Sequence, residues 1–364
     1  MRKPKIPPQE VNLAEHKAAI QREERRVTSY DVAMVAGVSQ SAVSRCFKPG
    51  ASVSKSTYAR VMKAAAGLDY IPNAAARSLI TRRSNMVAVV LSQLANQHLP
   101  AALAELSQQL TRRGKRVLLF TMQQEADIGH VLADVWQYQV DGAIVVAALS
   151  DEQVQEFERR RLPLVVFNRN LRNRTVTSVL CDQYECGSLL AARLATAGHR
   201  HFGIIAGPAE SVVAAERRDG ACDRLRELGL PAPVVVTGGF DYASGAQGLR
   251  DIVARLGRHP DAIICGNDLL ALGCLDVARH ELRIDVPGRM SVAGFDAPEP
   301  STWPGHDLTT LRQPIHAMAL AAVDMLVTMM DSTGQLAEKR TFAPQFVDGT
   351  TARLVPLEEA TLAA

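Results

Sequence analysis

This 364-residue chain has no apolar run long enough to cross a membrane. Its longest uncharged apolar stretches, Met86 to Leu91 and Gly142 to Leu149, fall well short of the roughly 18 residues that a spanning helix needs, which argues against a membrane protein. No apolar segment follows the basic residues Arg2, Lys3 and Lys5. Pro7, Pro8 and a mixed-charge stretch come instead, so no secretory signal is read and the cytoplasm is the expected compartment. The six cysteines (Cys46, Cys181, Cys186, Cys222, Cys265, Cys274) include no C-x-x-C pair, and reduced, mostly buried thiols are expected. Several enzyme signatures are also missing: there is no G-x-x-x-x-G-K-[ST], H-E-x-x-H, G-x-S-x-G or G-x-G-x-x-G. Neither catalytic residues nor a cofactor are therefore expected. His199 and His201 have the spacing of a metal-site fragment, but in a helix-to-strand turn without a Cys or carboxylate partner, so no metal is expected.

What is present is ordinary globular composition, 47 % apolar and 5 % aromatic, in a chain long enough for two or three domains. The net charge of +3 hides a division. Residues 1 to 83 carry 15 basic and 6 acidic side chains, whereas residues 84 to 364 carry 26 and 32. One end of the molecule suits a polyanion and the rest does not.

Residues 1–27, with three prolines and the charged run Glu15 to Arg26, read as a flexible or loosely helical arm. Residues 28–70 read as three short helices. Ser29 to Ala36 is followed by a turn at Gly37, and Ser39 caps Gln40 to Phe47. In that second helix Val43, Cys46 and Phe47 share one face, and Gln40, Ser41, Ser44 and Arg45 share the other. Amides, hydroxyls and a guanidinium are the donors and acceptors that base edges require. Ser54 caps a third helix whose Tyr58, Val61, Met62, Ala65 and Leu68 follow core spacing. Two helices joined by a glycine turn suggest a helix-turn-helix with its second helix in the major groove, although the same pattern fits a bundle with a merely wet face. Residues 71–83 form a hinge segment in which Pro72 halts the third helix and Asn73 caps Ala74 to Ile80. Two turns are too few to persist alone, so a symmetry mate on DNA is the expected support, with Leu79 free to wedge into the minor groove.

From residue 84 onward, strand-length apolar runs alternate with amphipathic helices, and the alternation restarts at Phe202. Runs at Met86 to Leu91, Arg116 to Phe120, Gly142 to Ala147 and Leu164 to Phe167 form the first round. Phe202 to Ala206, Pro233 to Thr237, Ala262 to Cys265 and Ser291 to Phe295 form the second. The fold class is α/β: two parallel-sheet, Rossmann-like lobes facing across a cleft, preceded by the helical head.

The segments Thr28 to Ala33, Ala36 to Arg45 and Tyr70 to Leu79 closely resemble the DNA-binding and hinge segments of the lac-repressor/gal-repressor family. The resemblance continues through Ala197 to Ile204, Ile264 to Gly273, Ser291 to Asp296 and Leu308 to Pro314. It implies a sequence-specific transcriptional regulator, in the first instance a repressor, with a periplasmic-binding-protein-like core. A sugar, sugar acid or related metabolite would lie between the lobes, and a homodimer would bind near-palindromic double-stranded operator DNA. Carried over by position, Gln40, Ser41 and Arg45 match base-reading residues, Thr28, Ser39, Ser44 and Asn73 backbone contacts, and Ala76 and Leu79 minor-groove contacts. Arg217 and Asp296 match ligand-gripping positions, with Asn267, Phe240, Asn168 and Gln313 around them, and Arg169 adds a second cation. Three chain crossings are expected, near Asn168, between Asp296 and Arg312, and near Asp331. The first lobe would then comprise residues 84–167 and 297–330, the second 168–296 and 331–350.

Asn96-Gln97-His98-Leu99 departs from the aromatic stretch that many relatives carry there, which weakens one stacking wall. The absence of sustained heptads beyond Thr350 favours a dimer over a zipper-linked tetramer. The rival reading, a transport-type sugar-binding protein, shares the two-lobed core but not the head.

Overall fold

The computed structural model describes residues 12–48, 50–73, 83–92, 98–122, 127–169, 175–332 and 336–354. It divides into two units between Ser84 and Asn85.

The first unit contains helices α1 (Leu13–Arg22), α2 (Ser29–Ala36), α3 (Gln40–Cys46) and α4 (Lys55–Gly67). Thr28 opens α2 with a capping box, in which Asp31 Oδ2 accepts from the Thr28 backbone N–H at 2.8 Å. Gly37, at φ 61°, makes the left-handed turn that closes α2, and Ser39 caps α3. Val32, Ala33, Ala36, Val43, Val61, Ala64, Ala65 and Leu68 form the core. Tyr58, expected in that core, is 47 % exposed instead, because the buried stripe of α4 runs through Val61, Ala64, Ala65 and Leu68.

The reading of residues 1–27 as an arm is corrected over its described part. Helix α1 packs on this core through Ile20, and Leu13 lies against Gly67. Its polar residues tie it down as well. His16 Nε2 sits 3.0 Å from Asp31 Oδ1, Arg25 donates both Nη atoms to the same carboxylate at 2.8 Å, and Lys17 Nζ donates to Gly67 O at 3.1 Å. The apolar stripe is one isoleucine and one leucine within a charged run, too narrow to stand out by periodicity. The expected hinge helix, with Ala76 and Leu79, lies outside the described residues.

The second unit carries two six-stranded sheets. In the first lobe the order is β11-β5-β4-β3-β1-β2, all neighbours parallel: β1 (Met86–Ser92), β2 (Arg116–Met122), β3 (Gly142–Val146), β4 (Leu164–Phe167), β5 (Ser178–Cys181) and β11 (Lys339–Phe342). Helices α5 (His98–Arg112), α6 (Ile128–Gln137), α7 (Asp151–Arg159) and α12 (Ile315–Asp331) accompany it. In the second lobe the order is β12-β10-β9-β8-β6-β7: β6 (Phe202–Ala206), β7 (Val234–Thr237), β8 (Ala262–Cys265), β9 (Ser291–Phe295), β10 (Thr309–Arg312) and β12 (Gln345–Val347). Its strands are parallel except for the antiparallel pairing of β10 with β12. Helices α8 (Gln183–Thr196), α9 (Val212–Glu227), α10 (Tyr242–Leu256) and α11 (Asp268–Asp276) belong here.

The sheets move all three expected crossings. Strand β5 pairs with β4, so the chain leaves the first lobe after Cys181 and not near Asn168. Strand β10 pairs with β9 and α12 packs on β3, β4 and β5, which puts the second crossing at Gln313-Pro314, just past the expected interval. Strand β11 pairs with β5 and β12 with β10, so the third crossing falls at Ala343-Pro344 and not near Asp331. Edge strands of three or four residues carry too little pattern to be assigned to a lobe from sequence.

Two helix pairs of the second lobe meet at backbone contact through reciprocal glycines. A Cβ on Gly187 of α8 would come within 2.0 Å of Arg217 O on α9, and a Cβ on Gly220 of α9 within 2.0 Å of Tyr184 O on α8. Helices α10 and α11 repeat the device, with Gly245 against Leu270 O and Gly273 against Tyr242 O. In both pairs a tyrosine three residues before the first glycine donates to an aspartate three residues after the second: Tyr184 to Asp223 at 2.9 Å and Tyr242 to Asp276 at 2.7 Å. This close approach sets Arg217 beside Gln183.

Two substitutions test these contacts. Gly220→Ala forces α8 and α9 apart and is expected to lower stability by about 1–3 kcal/mol in urea unfolding; an unchanged midpoint contradicts the close packing. Ile20→Ala is expected to cost about 2–4 kcal/mol in the first unit, seen as faster proteolysis between residues 12 and 48. Equal cleavage rates would mean that α1 is not docked.

Candidate functional site

In the first unit, Ser41, Ser44 and Arg45 are exposed on α3, while Ala42 and Val43 face the core. Gln40 is half-buried and donates to Ser29 Oγ at 3.2 Å, which orients its amide. Ser39 Oγ lies 2.9 Å from Ser41 Oγ. Thr28 is exposed at the start of α2, and Asn73 is exposed at the end of the described stretch that follows α4. The structure thus gathers Ser39, Gln40, Ser41, Ser44 and Arg45 on one short helix and its cap.

In the second unit, the carboxyl ends of the strands converge on a buried polar cluster, the region where open α/β sheets bind ligands. Arg217 and Asp296 are its centre, with side chains 4 % and 7 % exposed. Arg217 Nη2 donates to Asp296 Oδ1 at 2.7 Å, Nη1 to Gly266 O at 2.7 Å, and Nε to Gln183 Oε1 at 2.8 Å. The Phe295 ring packs 4.6 Å from the guanidinium. From the second crossing, Gln313 Nε2 donates to the same Asp296 Oδ1 at 2.8 Å.

Gln183 links the lobes. Beyond holding Arg217, its Nε2 lies 3.3 Å from Asn168 Oδ1, 3.0 Å from Cys181 O and 3.4 Å from Gln313 Oε1. It is a site residue that motif reading missed. The signal that could have found it is its place directly after the strand that ends at Cys181. Asn168, Arg217, Asp296 and Gln313 are therefore brought into one network.

Asn267 adjoins that network and caps α11, accepting from Leu270 N–H at 2.9 Å. Phe240 is half-buried against Gly207, where a Cβ would come within 2.1 Å of its ring. Arg169 turns back to donate to Asn168 O at 3.0 Å. Of the departure from aromatics, Asn96 and Gln97 lie outside the described residues. His201 does have a carboxylate partner, Asp261 Oδ2 at 3.2 Å, whereas His199 is buried against Ser291 Oγ at 3.0 Å. Among the described residues, no group of three or more His, Cys, Asp or Glu is placed to hold a metal ion.

Asn168, Asp296 and Ala297 have φ of 54°, 102° and 50°, in the left-handed region that non-glycine residues enter at a cost. A second missed residue holds the latter two. Asp268 is 1 % exposed and accepts from Ala297 N–H at 3.0 Å, Ser301 Oγ at 2.8 Å and Thr310 Oγ1 at 2.7 Å. It pins the turn that presents Asp296. Burial pushes its carboxyl up to about 8, the three hydrogen bonds pulling the other way and the Asp296 charge adding to the rise.

A basic helix-turn-helix unit followed by a two-lobed unit with a buried polar cluster defines a DNA-binding regulator joined to a ligand-binding core. Residues 28–73 match the lacI family of bacterial regulatory proteins, and residues 191–352 match the periplasmic binding protein-like domain. The transcriptional regulator CelR of Thermobifida fusca is 30 % identical, over 86 % of this chain and 94 % of its own. Catabolite control protein A of Priestia megaterium is 28 % identical, over 84 % and 93 %. A lac repressor dimer solved with operator and an anti-inducer superposes with a TM-score of 0.83 at 26 % identity, covering 91 % of this chain and all of that one. The chain belongs to the lacI family of bacterial regulatory proteins. It is a sequence-specific DNA-binding transcriptional regulator, and these relatives are regulators, not enzymes. Among the described residues no helix is long and apolar enough to cross a membrane.

The Asp268 carboxyl gives a pH test. A raised acid binds its proton in the folded state between about pH 4 and 8 while the unfolded chain has lost it, so this group makes stability fall as pH rises through that window. Asp268→Asn keeps the shape without the proton, and its unfolding midpoint is expected to lose that slope of up to about 1.4 kcal/mol per pH unit. Equal slopes in both proteins would contradict the assignment.

Proposed function

We propose that this regulator is a cytoplasmic repressor that grips a near-palindromic operator as a homodimer and takes a sugar, sugar acid or related metabolite between its lobes. The observation that carries the ligand reading is the buried Arg217–Asp296 pair with Gln183 and Gln313 around it. Asp296 matches the charge of Arg217, so the pair offers adjacent donors and acceptors at little net charge. That chemistry suits vicinal hydroxyls better than a carboxylate. Asn267, Asn168, Gln313 and Phe240 complete the contacts, and Arg169 would accept an acidic group on a sugar acid. In the head, Gln40, Ser41 and Arg45 read bases, Thr28, Ser39, Ser44 and Asn73 contact the backbone, and Ala76 and Leu79 enter the minor groove. A transport-type binding protein has no use for such a head.

Arg45→Ala is expected to abolish discrimination between operator and random duplex in a competition gel shift while keeping most salt-sensitive background binding. Unchanged discrimination removes Arg45 from base reading. A thermal-shift panel of sugars, sugar acids and nucleobases is expected to yield a stabilising compound for the wild type and none for Asp296→Ala. Equal shifts in both would remove Asp296 from the ligand contacts.

A further inference from the structure

Cys181 ends β5 in the first lobe, and Cys186 lies in the first turn of α8 in the second lobe, so the two thiols flank the crossing at Asp182. Their sulfurs are 3.7 Å apart, and each residue is 1 % exposed. A disulfide would close that gap by less than about 2 Å. Between them in sequence, Gln183 bonds Cys181 O at 3.0 Å with one end and Arg217 Nε at 2.8 Å with the other. Any change at this crossing therefore reaches the arginine directly.

We propose that Cys181 and Cys186 form a peroxide-responsive dithiol whose disulfide staples the first lobe crossing and shifts the Gln183–Arg217 contact. The two thiols share one hydrogen bond in which either sulfur can donate, and the Arg217 cation favours the ionised form of each against the effect of burial. Either sulfur can therefore attack first, and the other resolves.

One of the two thiols gives up its proton, and its thiolate attacks one oxygen of hydrogen peroxide. The O–O bond breaks, hydroxide leaves and takes that proton to become water, and the attacking cysteine becomes a sulfenic acid. The sulfur of the other cysteine then attacks the sulfenic sulfur. The S–O bond breaks, and the hydroxyl departs with the second thiol's proton as a second water. Two thiols lose two electrons and two protons, and one peroxide becomes two waters. Because both thiols are buried, the oxidant proposed is small and neutral, hydrogen peroxide itself. Cys46 and Cys222 are partly exposed and supply background reactivity.

The test uses the full chain with Cys46→Ser and Cys222→Ser, treated with hydrogen peroxide, alkylated and digested with trypsin. The peptide of residues 175–193 holds both thiols. It is expected to lose about 2 Da and escape alkylation until dithiothreitol is added, with no such loss in a further Cys186→Ser variant. A peptide that stays fully alkylated, or gains only oxygen, overturns the dithiol. Hydrogen exchange on the oxidised protein is then expected to change at residues 181–187 and also around Arg217. A disulfide that leaves the Arg217 segment unaltered overturns the coupling. Neither readout involves DNA, so failure here is distinct from failure of the repressor reading, on which only the consequence for ligand binding rests.

Discussion

A buried cation and a buried carboxylate, Arg217 and Asp296, meet 2.7 Å apart where the strands of the second lobe end. Neither could be buried alone, since an uncompensated charge in the interior costs several kcal/mol. The surroundings follow from that constraint. Gly187 and Gly220 let α8 and α9 approach until Gln183 reaches Arg217 Nε, Gly266 offers its carbonyl, and Phe295 covers the guanidinium face. The turn that presents Asp296 enters left-handed backbone and is held there by Asp268. Gln313 reaches the same carboxylate from a crossing, so the cluster is tied to a segment that connects the lobes.

That placement gives the chemistry a mechanical meaning. A ligand engaging Asp296, Gln313 and Asn168 touches groups from both lobes and from one of the connecting segments. Such a ligand has different contacts in different lobe arrangements, which is the requirement for it to shift an equilibrium between them. Coupling to DNA follows when the same arrangements differ in how well paired heads fit an operator. An inducer prefers the arrangement that grips poorly, and a corepressor the one that grips well.

Sequence and structure agree where the pattern is long or the motif is chemically constrained. The β-α alternation of the two lobes, the glycine turn of the helix-turn-helix, and the caps at Ser39 and Ser54 were legible because each has a local physical cause. Arg217, Asp296, Asn168 and Gln313 were named by family resemblance, and the structure brings the four into one network, their contact with a ligand being the proposal. The lobe crossings were not, because β5, β10, β11 and β12 are edge or near-edge strands of three or four residues whose pairing is decided by tertiary contacts. Helix α1 escaped because Leu13 and Ile20 alone anchor it, the rest of its hold being the polar bonds of His16, Lys17 and Arg25. Gln183 and Asp268 escaped for a different reason: Gln183 reaches Arg217 and Gln313, 34 and 130 residues away in sequence, and the partners of Asp268 lie 29 to 42 residues away.

In the proposed regulator one equilibrium connects metabolite and operator. It is measured by the pair of affinities that closes the cycle, by fluorescence anisotropy for operator with and without the metabolite, and by calorimetry for the metabolite with and without operator. Each is expected to change the other's Kd by the same factor, within about 5- to 150-fold. Binding of both with a factor of one, in either order, would contradict it.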